Sequence, residues 1–395
     1  SQARDEFKAT GFVKTFEGML PFLNGNLTVN EAIFSLEDRL ASDGLLKEQI
    51  VDRNFESHIP PPTLFLKCLS QIFDGDDDCE QKIALIQEFV GNSILGLATE
   101  YDKHLIFLGE RASNGKSTLL NIFSKLLPAS MISSNSPELW DQKGFAMGEM
   151  INSRLNLVAE LKENKPIQAS TMKAVLTGDR VSIDRKYKDR ESHKINAGHI
   201  LCADDLPVTS DVTPGFFRRW EIIEFNNKFV DEPTEPREFH KDAQLLKKTN
   251  DDEILRITLW LIQGVCRFQK NGFKYTSVPS SEEHQKKWMQ NSFSPHAFFE
   301  DCLKESSTTD ILRVGQIYDQ YTTWCTRQKR YPYGERKFQE AMILRYKHLK
   351  SRNSGGVTYK LEFKHPTLAI ECVGNKVTKS SGSDENDPLS ALEDL

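Results

Sequence analysis

A chain of 395 residues, 38 % hydrophobic and 27 % charged, is long enough for two or three domains and apolar enough for real cores. Its net charge of −6 argues against a wholly basic nucleic-acid binder, although the distribution of charge decides where a polyanion can sit. No run approaches the roughly 18–20 consecutive apolar residues of a membrane helix, and no apolar run follows a basic start, so neither a membrane span nor a signal peptide is expected.

The chain begins at Ser1 rather than Met and reads as a fragment of a longer protein or a tag remnant. Its 7 cysteines are scattered, with no C-x-x-C pair, which favours reduced thiols over a zinc or redox site. Acid is concentrated in Asp74-Gly75-Asp76-Asp77-Asp78 and in a Ser- and acid-rich tail, residues 373–395, that reads as disordered.

In chain order, residues 1–89 are expected to be mostly helical, with a turn at Asn24-Gly25-Asn26 and a rigid break at Pro60-Pro61-Pro62. Apolar residues at helical spacing predict helices over Leu64–Phe73 and Gln81–Leu97. The period then changes. His104–Gly109, Leu155–Ala159, His199–Ala203 and Trp220–Phe225 are short apolar runs of the kind buried in a parallel sheet. With helices over Ser117–Leu127 and Thr171–Leu176, they predict an α/β domain over residues 90–275. Asn271–Lys286, rich in Ser, Pro and charge, reads as a linker or edge. In residues 276–372, predicted helices over Phe298–Leu303, Val314–Gln328 and Lys337–Arg345 and an alternating strand over Val357–Phe363 fit a winged helix-turn-helix.

The stretch Gly109-Glu110-Arg111-Ala112-Ser113-Asn114-Gly115-Lys116-Ser117-Thr118 lies between a strand and a helix, the setting of a phosphate-binding loop. Loop amides and the helix N-terminus aim donors at a polyphosphate. Lys116 would reach the β and γ phosphates, and the Ser117 hydroxyl would meet Mg²⁺. Gly115 is expected to leave room for the phosphate, and Gly109 stands one residue earlier than the simple spacing rule requires. Glu160, at the end of its strand, is the candidate second Mg²⁺ ligand and water-orienting acid, with Glu163 as a substitute.

Four ordered segments over about residues 109–225 resemble the superfamily 3 helicases, specifically the helicase part of poxvirus-type and satellite-phage-type primase–helicases. They are the loop, Glu160, the run Met172–Asp179 continuing through Ile183–Tyr187, and Ala203-Asp204-Asp205-Leu206-Pro207 followed by Thr213–Trp220. The resemblance implies an AAA+-like P-loop ATPase domain between a helical N-terminal collar (1–89) and a C-terminal winged helix. It also implies ATP and Mg²⁺ as cofactors and a homo-oligomer, a hexameric ring by family expectation, acting on single-stranded and forked DNA in the 3′–5′ direction. It places Asp204 at the sensor position, where the family usually has Asn. An ionised carboxylate cannot donate the hydrogen bond that an amide can, so Asp204 must be protonated, act through water or metal, or tune hydrolysis differently. Arg218 and Arg219 match the arginine finger that reaches a neighbouring subunit's nucleotide, with either of the two available for it.

The resemblance implies a hairpin ahead of the sensor strand that would carry Lys186, Tyr187, Lys188 and Arg190 to one DNA strand, the alternative being a solvated basic loop. A second basic set, including Arg327, Lys329, Arg330, Arg336, Lys337, Arg345, Lys347, Lys350 and Arg352 with Tyr331, Tyr333 and Tyr346, is a candidate DNA-facing surface of the last domain. If the chain is part of a longer protein, the resemblance puts a primase or polymerase domain ahead of Ser1. The expected setting is the cytoplasm of an infected host cell. The rival readings are an AAA+ initiator or loader without processive unwinding, and a DNA-binding module whose nucleotide site only controls assembly.

Overall fold

The structure is a computed structural model that describes residues 19–22, 25–30, 33–37, 51, 60–110, 112–140, 146–161, 169–185, 188–207, 209, 214–292, 294–306, 311–328, 330, 332–353 and 356–364. It divides into two compact units, residues 1–292 and 293–395. No described helix is long and apolar enough to cross a membrane.

The first unit opens with β1 (Met19–Phe22), β2 (Gly25–Asn30) and β3 (Ile33–Glu37), paired antiparallel in that order. The expectation of a mostly helical start is therefore corrected for these residues. Leu20 and Leu27 are opposite each other in the ladder and both are buried, so cross-strand burial at period two prevails over any helical pattern. Helices α1 (Thr63–Ile72) and α2 (Cys79–Ile94) follow, then β4 (His104–Leu108), α3 (Lys116–Phe123), β5 (Ile132–Ser133), β6 (Leu155–Val158) and α4 (Ala169–Leu176). Next come the antiparallel pair β7 (Arg180–Arg185) and β8 (Lys188–Lys194), then β9 (Gly198–Ala203), α5 (Pro214–Phe217) and β10 (Trp220–Glu224). A parallel pair, β11 (Lys228–Val230) and β12 (Glu238–His240), precedes α6 (Leu245–Lys248), α7 (Asp251–Lys270) and α8 (Pro279–Ser292).

The central sheet is parallel throughout, in the order β10-β4-β9-β6-β5. Period-two alternation sends its side chains to two cores. Leu105, Phe107, Leu155, Leu157, Ile200, Cys202 and Ile223 join one core with residues of α1, α2 and α7. Ile106, Leu108, Val158, Leu201, Ala203, Trp220 and Ile222 join the other with Met172, Val175, Phe216, Phe217 and Trp288. Both faces are covered, which is why these strands read as unbroken apolar runs.

The expected boundary between residues 89 and 90 is not a break, because α1 and α2 share the first core with the sheet. The next boundary falls after Ser292 rather than after residue 275. The predicted linker is likewise corrected, since its second half, from Pro279, is α8. Pro279 opens that helix, where its missing N–H is harmless. Ser281 Oγ donates to Glu221 Oε2 at 2.7 Å and accepts from the Ile222 N–H at 2.8 Å, while Trp288 is buried against Phe216 and Phe217.

The acidic block is also not a solvated surface run. Asp76 and Asp78 have buried side chains that pair with the buried Lys82 ammonium at 2.9 and 3.3 Å. Burying the lysine demands both partners, since an unpaired charge there would be strongly destabilising.

The second unit contains α9 (Ser294–Cys302), β13 (Leu303–Glu305), β14 (Leu312–Arg313), α10 (Val314–Arg327), α11 (Glu335–Tyr346), β15 (Lys350–Asn353), β16 (Gly356–Tyr359) and β17 (Leu361–Phe363). Strands β14, β16 and β15 form one antiparallel sheet, and β13 pairs with β17. The single predicted strand over Val357–Phe363 is thus two strands broken at Lys360. Its core is aromatic, with Phe298, Phe299, Tyr321, Trp324, Phe338 and Tyr346 in mutual contact.

At the N-terminal ends of the central strands, His104 and His199 are fully buried with rings 4.9 Å apart. His104 Nε2 lies 3.0 Å from the Leu176 carbonyl, and its Nδ1 accepts the His199 N–H at 3.3 Å, an arrangement that requires the neutral ring. Burial pushes His104 down from 6.5 to about 4 and holds His199 well below its ordinary value. The unfolded chain therefore takes up protons first, and the stability that these rings confer is complete above pH 6.5 and lost as pH falls from there towards 4. Thermal melts across that window should show a falling midpoint, and His104→Gln should flatten the slope. A midpoint independent of pH would contradict this account.

Candidate functional site

Strand order locates the site. β4 lies between β10 and β9, and the chain leaves it towards β5 and β6 on one side while β10 occupies the other. In open α/β sheets, ligands bind beyond the C-terminal strand ends at such a switch point. The residues just past β4, β6 and β9 are held together by backbone bonds. The Gly109 N–H donates to Ala203 O at 3.1 Å, and the Leu161 N–H donates to Cys202 O at 2.9 Å. Gly109, Glu160 and Asp204 thus stand in line at one edge, with Glu160 and Asp204 exposed.

The loop from Gly109 to Lys116 closes over that edge. Gly115 caps α3 with φ +99°, in the left-handed region that favours glycine. A Cβ at Gly115 would stand 2.9 Å from Ile72 of α1 and 3.6 Å from Phe229 of β11. Room for phosphate is therefore not the reason for glycine shown by these contacts; backbone conformation and the approach of α1 are. Gly109 is required for a different reason, since a Cβ there would collide with the Asn114 side chain and lie 3.1 Å from Phe225 O. The loop folds back on its own first residue, and that is how a glycine one position early still serves.

Lys116 is buried, and its ammonium donates to the Gly109 carbonyl and to Asp204 Oδ1, the latter at 3.1 Å. Asn114 is buried too. Its Oδ1 accepts the Lys116 N–H at 3.5 Å, while its Nδ2 has no hydrogen-bond partner. A buried donor without an acceptor costs about 1–3 kcal/mol, so the loop presents a donor that an incoming acceptor would satisfy. Ser117 is exposed and Thr118 half-buried at the first turn of α3. Among the described residues, no group of three or more His, Cys, Asp and Glu is gathered to hold a metal.

Arg218 and Arg219 are not at this edge. They precede β10, where Trp220 pairs with His104 at the opposite, N-terminal end of the sheet. Arg219 is buried, bonded to Gly215 O and 3.4 Å from Asp102 Oδ2, and its carbonyl accepts the His104 N–H at 2.8 Å. Arg218 is exposed. The β7–β8 hairpin also meets the sheet at that end, since β8 stops three residues before β9. Lys188 and Arg190 lie on β8, whereas Lys186, Tyr187 and Glu163 fall outside the described residues, as does the tail.

In the second unit Arg336, Lys337, Lys347, Lys350 and Arg352 are exposed. Others of the predicted basic set are engaged internally. Arg345 pairs with Glu300 at 2.5 Å, and Arg330 lies over the Trp324 ring at 5.2 Å. Tyr346 is buried in the aromatic core, and Lys329 and Tyr331 lie outside the described residues.

Sequence reasoning missed the bracing of the loop. The Phe229 N–H donates to Ser113 O at 2.7 Å, tying β11 to the loop. Asn227 Nδ2 donates to Gln71 O and Asp74 O, each at 2.9 Å, and Arg237 reaches Asp76 Oδ1 and Gly75 O, each at 2.7 Å. The only advance signal was Lys82 standing four residues after Asp78.

Residues 107–219 match a family described as a family of unknown function, DUF5906. A comparison with the curated proteins finds no match. Among solved structures, the chain is similar to the apo C-terminal region of NrS-1, with 14 % identity over 78 % of this chain and 77 % of that one at TM-score 0.43. Its A form gives 12 % identity over 91 % and 89 % at TM-score 0.45. A JCV helicase bound to a small molecule gives 12 % identity over 60 % and 70 % at TM-score 0.27.

Gly115→Ala should destabilise the first unit by about 1–3 kcal/mol, because it combines strain at positive φ with the Ile72 contact. The melting midpoint should fall by roughly 3–10 °C. An unchanged midpoint would show that the loop relaxes freely.

Proposed function

We propose that this chain is the ATP-dependent helicase subunit of a viral or phage replication protein, working as a ring of identical subunits on single-stranded and forked DNA in the 3′–5′ direction, in the cytoplasm of an infected host cell. One observation carries the reading. Lys116 Nζ and Asn114 Nδ2 both stand beside Gly109 at the C-terminal edge of the sheet, just ahead of α3, while the exposed Arg218 lies at the opposite edge. A five-residue strand at about 3.3 Å per residue separates those edges, so Arg218 is out of reach of its own loop and is free to serve a neighbour's. Arg219, tied to Asp102 and Gly215, positions that turn.

The residues present fit a nucleoside triphosphate. Helix amides and Asn114 Nδ2 would receive phosphate oxygens, and Lys116 would exchange Asp204 for the β and γ phosphates. Ser117 and Glu160 are the residues that would hold Mg²⁺. A magnesium ion shared with the nucleotide needs only one or two protein ligands and neutralises charge between the β and γ phosphates. Glu160 would orient the attacking water. Asp204, paired with Lys116, has a use of its own: it holds the buried Lys116 head group until phosphate replaces it.

Movement on DNA is the less direct half of the reading. The β7–β8 hairpin pairs Arg185 with Lys188, and the sequence sets Lys186, Tyr187 and Arg190 next to them, a group of charges suited to one strand's phosphates. The second unit, with α10, α11 and the β15–β16 hairpin, is read as a winged helix that presents Arg336, Lys337 and Lys350 to DNA.

Lys116→Ala should abolish DNA-stimulated ATP hydrolysis, and Arg218→Ala should lower it by roughly a thousandfold. Mixing the two inactive variants should restore a fraction of the activity, because some interfaces then join an intact Lys116 to an intact Arg218. Absence of recovery would refute action across subunits. Forked-duplex assays complete the test, and turnover without strand displacement would favour a loader over a helicase.

A further inference from the structure

A nucleotide is extended, and this sheet fixes which way it must run. The acidic groups Glu160 and Asp204 follow β6 and β9, both on one side of β4. Lys116 leans to that side, onto Asp204. With the terminal phosphate drawn there, the nucleoside extends to the other side of β4, over β10 and the segment after it. That segment carries two aromatic rings. Phe229 and Phe239 lie opposite each other in the β11–β12 ladder with ring centroids 6.0 Å apart. Phe229 touches the position above Gly115 and packs against the first core, whereas Phe239 is half-buried and outside that core's packing.

The platform is held firmly. Asn227 is buried and bonded to α1 and the turn after it, and Arg237 binds Asp76 and Gly75. Arg237 itself has φ +67°, a left-handed conformation unfavourable for a side-chain-bearing residue, and its carbonyl accepts the Lys228 N–H at 2.9 Å. Such strain persists only where surrounding contacts over-determine it, and it concentrates at ligand sites.

Resting on the triphosphate reading above, we infer that Phe239 is the base-contacting residue of the site, stacking on the nucleobase, and that Phe229 is a positioning residue that fixes Phe239 against the phosphate loop. Stacking engages the π face that every base has, so this contact supplies affinity for the nucleoside without reading base edges.

Calorimetric titration of the full chain with Mg·ATP and with Mg·tripolyphosphate tests the assignment, because only the first ligand has a base. Phe239→Ala should weaken ATP about tenfold and leave tripolyphosphate unchanged, and Phe239→Trp should restore ATP binding. In steady state the same Ala variant should raise KM for ATP with kcat preserved. An equal loss for both ligands would show that Phe239 merely supports the loop, and no loss for either would remove it from the site. Both results overturn the inference while leaving the triphosphate reading intact. A wild-type chain that binds neither ligand overturns both.

Discussion

Everything functional in the first unit depends on how the parallel ladder aligns the strand ends. Hydrogen bonds between β4 and β9 and between β9 and β6 bring Leu108, Ala203 and Val158 out at one edge, and the chain must turn there three times within a small area. Two of those turns supply acids, and the third supplies the loop with Lys116. Because backbone bonding and burial on both faces fix the register, the functional groups inherit their spacing from the most stable part of the molecule.

The loop carries tension that its surroundings hold. Ser113 and Gly115 both have positive φ, Asn114 has a buried donor without an acceptor, and a buried ammonium depends on one half-exposed carboxylate and a carbonyl. Ile72 and Phe229 press on the loop from α1 and β11; Asn227, just before β11, bonds to Gln71 of α1, and Arg237, just before β12, bonds to Asp76 in the turn after α1. A ligand that relieves the loop's unmet polar demand would be felt through this bracing, which offers a physical link between occupancy of the site and the position of the neighbouring segments.

The two ends of the sheet divide the labour. One end holds the Gly109–Lys116 loop with Glu160 and Asp204. The other holds the buried histidine pair, the Arg218–Arg219 turn and the base of the basic hairpin. An exposed arginine next to a buried, doubly bonded one is a natural way to present a charge rigidly, since Arg219 freezes the backbone from which Arg218 projects.

Residue patterns alone determined the parallel α/β core, because strands buried on both faces must be unbroken apolar runs, and they determined the loop, because glycine, lysine and hydroxyl at fixed spacing serve local backbone chemistry. Other features were decided only in three dimensions. Strand order set which acid meets Lys116. Packing made α8 a helix despite its polar composition, since a few anchors such as Ser281 and Trp288 suffice when the partner surface is already formed. Cross-strand burial made Met19–Phe22, Gly25–Asn30 and Ile33–Glu37 a sheet, and burial turned two acids of an acidic run into the partners of Lys82. The difference between Arg218 and Arg219 was likewise not local, because adjacent identical side chains differ only in what the fold places beside them: Asp102 and a carbonyl for Arg219, solvent for Arg218.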